Sequence, residues 1–300
     1  MKTKKHLLLP ASILLSTIIL SSSLVYTARL KMPAVLSETS KAEPPASAID
    51  PALEAKVLPS AGVVLPVSWG NLGARLAESG VIDAAKFASL YSNEQSEEIK
   101  QLLSEDNSGN LKITPENSGM ILNMFWALGL GNKNAILEKG PISDAQYGGA
   151  GGFASTGGWT IAQGDAMDHF SQHQFINLTP AQQQMVEEVS KNIYRPCCDN
   201  ATYFPDCNHG MAMLGLLQLA ASQGVSKEEM YKTALQVNAY WFPDTYLTIA
   251  QFLGERGVEW EKAAPQEILG QGYSSGSGYR EILSQVSAPV QKSSGGGCGV

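Results

Sequence analysis

Three of the four cysteines lie together in one short segment of the chain. Cys197 and Cys198 are adjacent, Cys207 follows, and His209 comes two residues after Cys207. Thiolate and imidazole are the ligands that zinc and copper favour in proteins. The spacing matches neither a zinc finger nor a CxxCH haem attachment site, and it contains no CxxC redox pair. The segment therefore predicts a site for a thiophilic transition metal ion, zinc or copper, with a spacing of its own.

Two further histidines, His169 and His173, stand four residues apart upstream of this segment. On a helix this spacing places both imidazoles on one face. Asp168 and Asp206 are candidates for orienting the imidazoles, as metal-bound histidines commonly require. The alternatives are that the histidines are solvated residues of an amphipathic helix and that the aspartates are charges at helix N-termini. We expect the metal ligands to come from Cys197, Cys198, Cys207 and His209 first, and from His169 and His173 second.

The same cysteines can be interpreted without a metal. In an oxidising compartment, either Cys197 or Cys198 can form a disulfide with Cys207. The remaining thiol can then pair with Cys298, so that two bridges account for all four cysteines. The alternatives to a metal site are therefore a disulfide-stapled structural or binding module and a thiol–disulfide redox protein that uses these cysteines.

Cys298 lies in a glycine-rich tail, residues 289–300, close to the end of the chain. Glycine-rich segments behave as flexible coils. We interpret Cys298 as a mobile accessory thiol that delivers metal or electrons to the cluster at residues 197–209. The alternatives are an anchoring disulfide, an intermolecular disulfide or a disordered end.

The cysteine segment leads into a predicted helix, residues 210–221, in which Gln218 is the only strongly polar residue. A helix that is apolar on every side belongs in the core of a domain. Cys207 and His209 are therefore expected at the N-terminus of a buried helix. The helix dipole and the free amides at such a terminus favour a thiolate at Cys207.

The residues around this segment predict a mainly α fold, a single irregular helical domain over residues 66–288. Helix-start signals recur along it, at Thr179-Pro180, Ser226 and Asp244, and Pro243 is predicted to end the helix that follows Ser226. The alternating pattern of strands is almost absent. A glycine-rich loop at residues 148–159 interrupts the helices. Because glycine permits close backbone approach, this loop either wraps around a site or simply connects two helices.

The N-terminus predicts export. Residues 1–31 carry several lysines ahead of a long apolar run and contain no acidic residue, which is typical of a signal peptide or an N-terminal membrane anchor. Residues 32–65 form a proline-rich spacer. We expect a body that is membrane-anchored and faces the extra-cytoplasmic side, or that is periplasmic or secreted after cleavage. The membrane, through the N-terminal segment, and the metal ion are the expected partners.

The charge distribution excludes one class of partner. The chain carries a net charge of −7. Beyond residue 31 the body holds 16 basic and 28 acidic residues, a net charge of −12. Nucleic-acid binding needs a basic footprint, and this body has the opposite charge. The sequence thus predicts an exported metal-binding protein for metal carriage, sensing, detoxification or metal-assisted chemistry.

Overall fold

Several helices begin at a residue whose side chain caps a free backbone amide. The Thr179 hydroxyl accepts a hydrogen bond from the Gln182 amide at 3.3 Å. Ser226 accepts one from the Glu229 amide at 3.2 Å. Such caps satisfy amides that have no partner within the helix. Both helix starts were predicted from the sequence, and both are confirmed.

The structure is a computed structural model that describes residues 50–104, 107–158, 160–286 and 289–290. Over these residues the chain is mainly helical, as predicted. The strands are β1 (Val63–Gly70) and β2 (Asn107–Ile113). The helices, in chain order, are α1 (Pro51–Val57), α2 (Leu72–Glu78), α3 (Ala84–Ser89), α4 (Ser96–Leu102), α5 (Ser118–Gly131), α6 (Ala135–Lys139), α7 (Pro180–Ser190), α8 (Asn208–Ser222), α9 (Lys227–Trp241), α10 (Pro243–Gly254), α11 (Pro265–Ile268), α12 (Gln271–Ser274) and α13 (Gly276–Leu283).

Helices α5 and α8 cross at the centre of the core with their backbones in contact. A Cβ atom on Gly129 would lie 2.0 Å from the carbonyl oxygen of Met211, and one on Gly215 would lie 2.2 Å from that of Phe125. Only glycine permits so close an approach. Helix α8 is buried along nearly its whole length, which confirms the expectation of a central apolar helix behind the cysteine segment.

Gln218, the strongly polar residue within the apolar stretch 210–221 of α8, has polar partners in the core. The side-chain oxygen of Gln218 accepts hydrogen bonds from Asn132 at 2.7 Å and from Asn134 at 3.0 Å. Both asparagines lie just beyond the end of α5. The side-chain oxygen of Gln218 is thus paired, as buried polar atoms usually are, whereas its Nε2 atom is buried without a partner. Gln218 therefore ties the two central helices together.

The two strands correct the sequence interpretation. β1 and β2 pair antiparallel, with Val63 opposite Ile113, and Leu65, Val67 and Trp69 are buried on one face of β1. Residues 32–65 were predicted as a spacer without regular structure, yet α1 and the start of β1 lie within it. Pro51 begins α1, where proline at the first position is favourable because its missing amide costs nothing.

The membrane prediction concerns residues outside the described ones. Among the described helices, none is long and apolar enough to cross a bilayer. The apolar run of residues 1–31 and most of the spacer lie before residue 50, where the description begins. The described residues all fall in one compact unit that begins at Ala46.

Candidate metal centre

Cys207 is the N-cap residue of α8. Its Sγ atom lies 3.4 Å from the backbone nitrogen of Gly210, which donates a hydrogen bond to it. Sulfur thus takes the place that a serine or threonine oxygen usually fills at a helix start. The Cys197 Sγ lies 3.4 Å away from the Cys207 Sγ. The loop before α8 therefore brings two sulfur atoms together at the positive end of a helix dipole.

His209 completes a group of three ligands with these sulfurs. The ligand atoms of Cys197, Cys207 and His209 all lie within 4.8 Å of one another. His209 is 8% exposed, and its Nδ1 atom has no hydrogen-bond partner. The centroid of its ring lies 4.3 Å from that of Phe242, at the start of α10. Buried polar atoms in folded proteins normally have partners, so an imidazole with one unpartnered nitrogen, close to two sulfurs, is compatible with a metal ligand.

A second group shares one of these sulfurs. The ligand atoms of Cys198, Asp206 and Cys207 also lie within 4.8 Å of one another. The Cys198 Sγ is 3.8 Å from the Asp206 Oδ1. Cys198 and Asp206 are half-buried, whereas Cys207 and His209 are buried. The adjacent cysteines 197 and 198 therefore belong to different ligand groups.

A buried arginine organises both groups. Arg195 is 1% exposed, and its Nε atom donates to the Cys207 Sγ at 2.8 Å. Its Nη2 atom forms an ion pair with the Asp206 carboxylate. The remaining donors reach the carbonyl oxygens of Asn200 at 3.0 Å and Phe204 at 2.9 Å. A buried charge needs such full pairing. Arg195 thereby holds the whole loop over the start of α8.

The three thiols have different acidities. Hydrogen bonds from Cys197 and Cys198, with the charge of Arg195, hold the pKa of Cys207 well below its usual range, against the effect of burial. Hydrogen bonds with Cys198 and Cys207, together with burial, raise the pKa of Cys197. For Cys198, the bond with Cys197 lowers the pKa, but the bond with Cys207 and burial outweigh it and raise the pKa to about 11. Cys207 is therefore the most acidic of the three thiols.

The glycine-rich loop supports the cysteine loop from the other side. The backbone N–H of Ser155 donates to the Asp206 carbonyl at 3.1 Å, and its hydroxyl donates to the Pro205 carbonyl at 2.7 Å. The Ser155 carbonyl in turn accepts from the Trp126 indole at 3.0 Å. Ser155 is fully buried. The described part of the glycine-rich loop therefore packs against the cysteine loop through Ser155.

The start of helix α13 holds the other edge of the cysteine loop. The Gly276 amide donates to the Cys198 carbonyl at 2.8 Å. The Ser277 amide donates to the Asp199 carboxylate at 2.6 Å. A Cβ on Gly276 would lie 3.2 Å from the Pro196 carbonyl oxygen, so the contact is tight. The backbone of Cys198 is thus fixed, and its half-buried thiol lies against the Asp206 carboxylate.

His169 and His173 belong to neither ligand group among the described residues. Their Nδ1 and Nε2 atoms lie 3.1 Å apart, and the His169 Nε2 lies 3.0 Å from the Gln163 carbonyl oxygen. The sequence analysis placed this pair on a helix. The structure instead has a 3-10 turn, Ala166–Asp168, followed by an irregular segment in which Ser171 has a φ of 57°. The imidazoles meet through that turn, each with a partner already in place.

The two aspartates have defined partners. Asp168 accepts a hydrogen bond from the Asp165 amide at 3.1 Å, within the 3-10 turn. Asp206 pairs with Arg195 and accepts from the Asn200 side-chain amide at 2.8 Å. The hydrogen bonds of Asp168 thus fit the alternative of a charge at a helix start. Asp206 belongs to the second ligand group itself.

Cys197, Cys198 and Cys207 are free thiols, so the described cysteines form no disulfide with one another. The predicted bridges from Cys197 or Cys198 to Cys207 are therefore absent. Cys298 lies outside the described residues. Sequence reasoning gave Arg195 no role, because nothing in its local pattern shows that the chain folds its guanidinium onto a thiol twelve residues away.

The arrangement joins a buried thiolate, a thiol and an orphaned imidazole, the donor set of zinc and copper sites. Comparison of the chain with protein-family models, curated proteins and solved structures finds no match. The cluster of Cys197, Cys207 and His209 lies within metal-ligand distance and is compatible with metal binding.

Proposed function

We propose that this chain is an exported metal-binding protein that holds one thiophilic transition metal ion at Cys197, Cys207 and His209. The observation that carries the proposal is the Nδ1 atom of His209. It is buried and lacks a hydrogen-bond partner, and a ring nitrogen of the same imidazole lies within 4.8 Å of the Cys197 and Cys207 sulfur atoms. A bound ion would satisfy that nitrogen and join all three groups. Export rests on the sequence of residues 1–31.

The charges around the ligands favour a divalent ion. Arg195 and Asp206 neutralise each other as an ion pair. Thiolates at Cys197 and Cys207 would carry two negative charges, while a ligating imidazole is neutral. Zn(II) would leave the group without net charge. Cu(I) would leave one uncompensated negative charge in a buried position, which is costly. We therefore rank Zn(II) ahead of Cu(I).

The decisive experiment is metal analysis of the full chain, purified under reducing and oxygen-free conditions. We expect about one zinc ion per chain. Cobalt(II) substitution should give the charge-transfer absorption of a metal–thiolate bond, because cobalt occupies zinc sites with similar ligands. Cys207→Ser and His209→Ala should lose the ion. Their folding is checked by circular dichroism.

His169→Ala is the matched control for His209→Ala, because it also removes a histidine but one outside the ligand group. We expect this variant to retain the ion. A reduced wild-type chain that takes up no zinc, copper or cobalt would contradict the proposal. Equal loss from His169→Ala would move the site to the histidines that the sequence analysis ranked second.

A second candidate function, thiol–disulfide exchange, is favoured by one observation. The Cys197 and Cys207 Sγ atoms lie 3.4 Å apart, and the pKa of Cys207 is lowered while that of Cys197 is raised. A thiolate–thiol pair of this kind is the reduced form of a redox-active dithiol. Counting thiols after equilibration with oxidised and reduced glutathione tests it. A reversible change of two thiols that zinc does not block would favour redox chemistry over metal binding.

A further inference from the structure

The thiolate of Cys207 is common to both ligand groups. Cys197 and His209 form one group with it, and Cys198 and Asp206 form the other. All ligand atoms within each group lie within 4.8 Å of one another. The two groups are therefore neighbouring positions around one sulfur atom. An ion at either position would be bound to the same Cys207 Sγ.

The two positions differ in their access to solvent. Cys207 and His209 are buried, and the His209 ring is enclosed by Phe242 at 4.3 Å and Trp241 at 6.0 Å between centroids. Cys197 and Cys198 are both half-buried, so the difference lies in the third ligand: the outer position has the half-buried Asp206, whose Oδ1 is 3.8 Å from the Cys198 Sγ, where the inner position has the buried His209. A hydrated ion meets Cys198 and Asp206 before it meets His209. The adjacent cysteine pair thus supplies one thiol to the outer position and one to the inner position.

We propose that Cys198 and Asp206 form an outer capture position, from which a divalent metal ion passes to the inner position by ligand exchange on Cys207. This inference rests on the proposed function, since it needs an ion at the inner position. It assigns Cys198 a role in loading and release rather than in final affinity. It also makes metal carriage the use that best fits the site, because a carrier must exchange its ion.

The exchange conserves bonds and charge. At the outer position the ion loses water ligands and bonds to Cys207, Cys198 and an Asp206 oxygen, and the proton of the Cys198 thiol goes to solvent. In the transfer, bonds to Cys197 and His209 form as those to Cys198 and Asp206 break. Cys198 then takes a proton from solvent and Cys197 gives one up. Cys207 stays bound throughout, so the ion is never without a protein ligand.

The backbone of Cys198 is held on both sides of its thiol. Its amide donates to the Arg195 carbonyl at 3.3 Å, and its carbonyl accepts from the Gly276 amide at 2.8 Å. The Asp206 carboxylate is likewise held by Arg195 and Asn200. With the main chain fixed on both sides, the Cys198 thiol moves only by side-chain rotation. The two ligands of the outer position, Cys198 and Asp206, are therefore held in place next to the inner position.

The test compares Cys198→Ser with Cys197→Ser in the reduced full chain. Stopped-flow mixing with aqueous cobalt(II) measures loading, and a chromophoric chelator measures release of zinc. Loss of a residue that hydrogen-bonds a metal ligand typically weakens metal affinity by roughly 10–100-fold. Cys197→Ser removes a ligand itself, so it should weaken the affinity for zinc by more than that. Cys198→Ser should leave affinity nearly unchanged and slow loading and release by the same factor. Loading and release must slow by the same factor because their ratio sets the affinity, which does not change when only an intermediate position is lost.

Cys198→Asp provides the rescue, because it returns an anionic ligand to the outer position. It should restore most of the exchange rate. The inference is overturned if Cys198→Ser exchanges metal at the wild-type rate, if it weakens affinity as much as Cys197→Ser, or if the wild type binds two ions per chain. A wild type that binds no metal overturns the proposed function instead, so the two failures are distinct.

Discussion

At the scale of single residues, the character of the site depends on the contacts of Cys207. Its sulfur accepts hydrogen bonds from the Gly210 amide and from Arg195, and its neighbour Cys197 lies 3.4 Å away. Each contact stabilises the thiolate over the thiol. The charge of Arg195 persists although burial alone would lower its pKa, because Cys207 and the other anionic groups raise it. Thiolate and guanidinium thus stabilise each other.

The first prediction is that one thiolate persists at neutral pH in the reduced, metal-free chain. The ultraviolet absorbance of the thiolate should titrate well below the ordinary cysteine pKa of about 8.5. Cys207→Ser should abolish this early titration, because the pKa of that thiol is the one held low. The prediction is contradicted if no thiolate is detected until the pH passes the ordinary value.

The same lowered pKa gives a dependence of stability on pH. A group whose folded pKa lies below its unfolded pKa adds stability at higher pH, and that stability is lost as the pH falls through the folded pKa. The wild type should therefore gain stability relative to Cys207→Ser as the pH rises toward about 8.5. Denaturant unfolding of both metal-free proteins at several pH values measures this. A constant difference would show that the thiolate is not stabilised by folding.

The second prediction concerns Gly210, which leaves room for the arginine. A Cβ at this position would lie 2.5 Å from the Cζ atom of Arg195. Gly210→Ala should destabilise the fold by about 1–3 kcal/mol, the usual cost of overpacking, and should weaken metal binding because Arg195 must move. Gly119→Ala is the matched control, since it lies in the first turn of α5 with open space around it. Similar behaviour of both variants in denaturant unfolding and metal titration would show that Arg195 does not need the space at Gly210.

At the scale of elements, the site depends on pieces that are distant in the chain. The cysteine loop is held between the glycine-rich loop and the start of α13 through backbone hydrogen bonds. Backbone partners fix a loop with little dependence on side-chain chemistry. The glycines of residues 148–159 allow this loop to fold closely on itself: a Cβ on Gly157 would lie 2.3 Å from the Gly151 carbonyl oxygen.

The third prediction tests this support at Ser155. Ser155→Ala removes the hydroxyl that donates to the Pro205 carbonyl at 2.7 Å. It should cost about 1–3 kcal/mol, because a buried acceptor loses its partner, and it should speed release of the ion to a chelator. Ser89→Ala removes an exposed hydroxyl that donates to the Lys86 carbonyl and serves as the control. Unchanged stability and release for Ser155→Ala would show that the glycine-rich loop does not support the site.

How far the sequence predicts these elements depends on how local their cause is. Helix α8 and the position of Cys207 at its start follow from an uninterrupted apolar run, so both were predicted. Strand β1 was missed because Pro66 interrupts its short alternation, and its pairing with β2 is not local. Arg195 was missed for the same reason. Its partners are set by the path of the loop and by the space at Gly210, neither of which a sequence pattern reports.

At the scale of the whole molecule, the proposed ion would join the start of the central helix to the loop that precedes it. Helix α8 crosses α5 with direct backbone contact at Gly129 and Gly215. Binding to the folded state therefore acts on the core and not on a surface loop alone. An ion that binds only the folded state raises the free energy of unfolding.

The fourth prediction is that zinc stabilises the whole described domain. Free zinc at one hundred times its dissociation constant should raise the unfolding free energy by about 2.7 kcal/mol. Cys207→Ser should show no such gain, whereas His169→Ala should show all of it. Unfolding is followed by circular dichroism, because the helices report the entire fold. Stabilisation that persists in Cys207→Ser would place the ion elsewhere.

The contact between the cysteine loop and α13 also affects when the site can form. Asp199 and its partner Ser277 are separated by 78 positions in the chain. During synthesis the cysteine loop emerges long before its backbone partners at Gly276 and Ser277 exist. Contacts of such sequence separation form late, because closing the intervening chain costs entropy. The edge of the cysteine loop at Cys198 and Asp199 is then fixed only after α13 is made, so we expect a product that stops before α13 to hold its thiols less firmly.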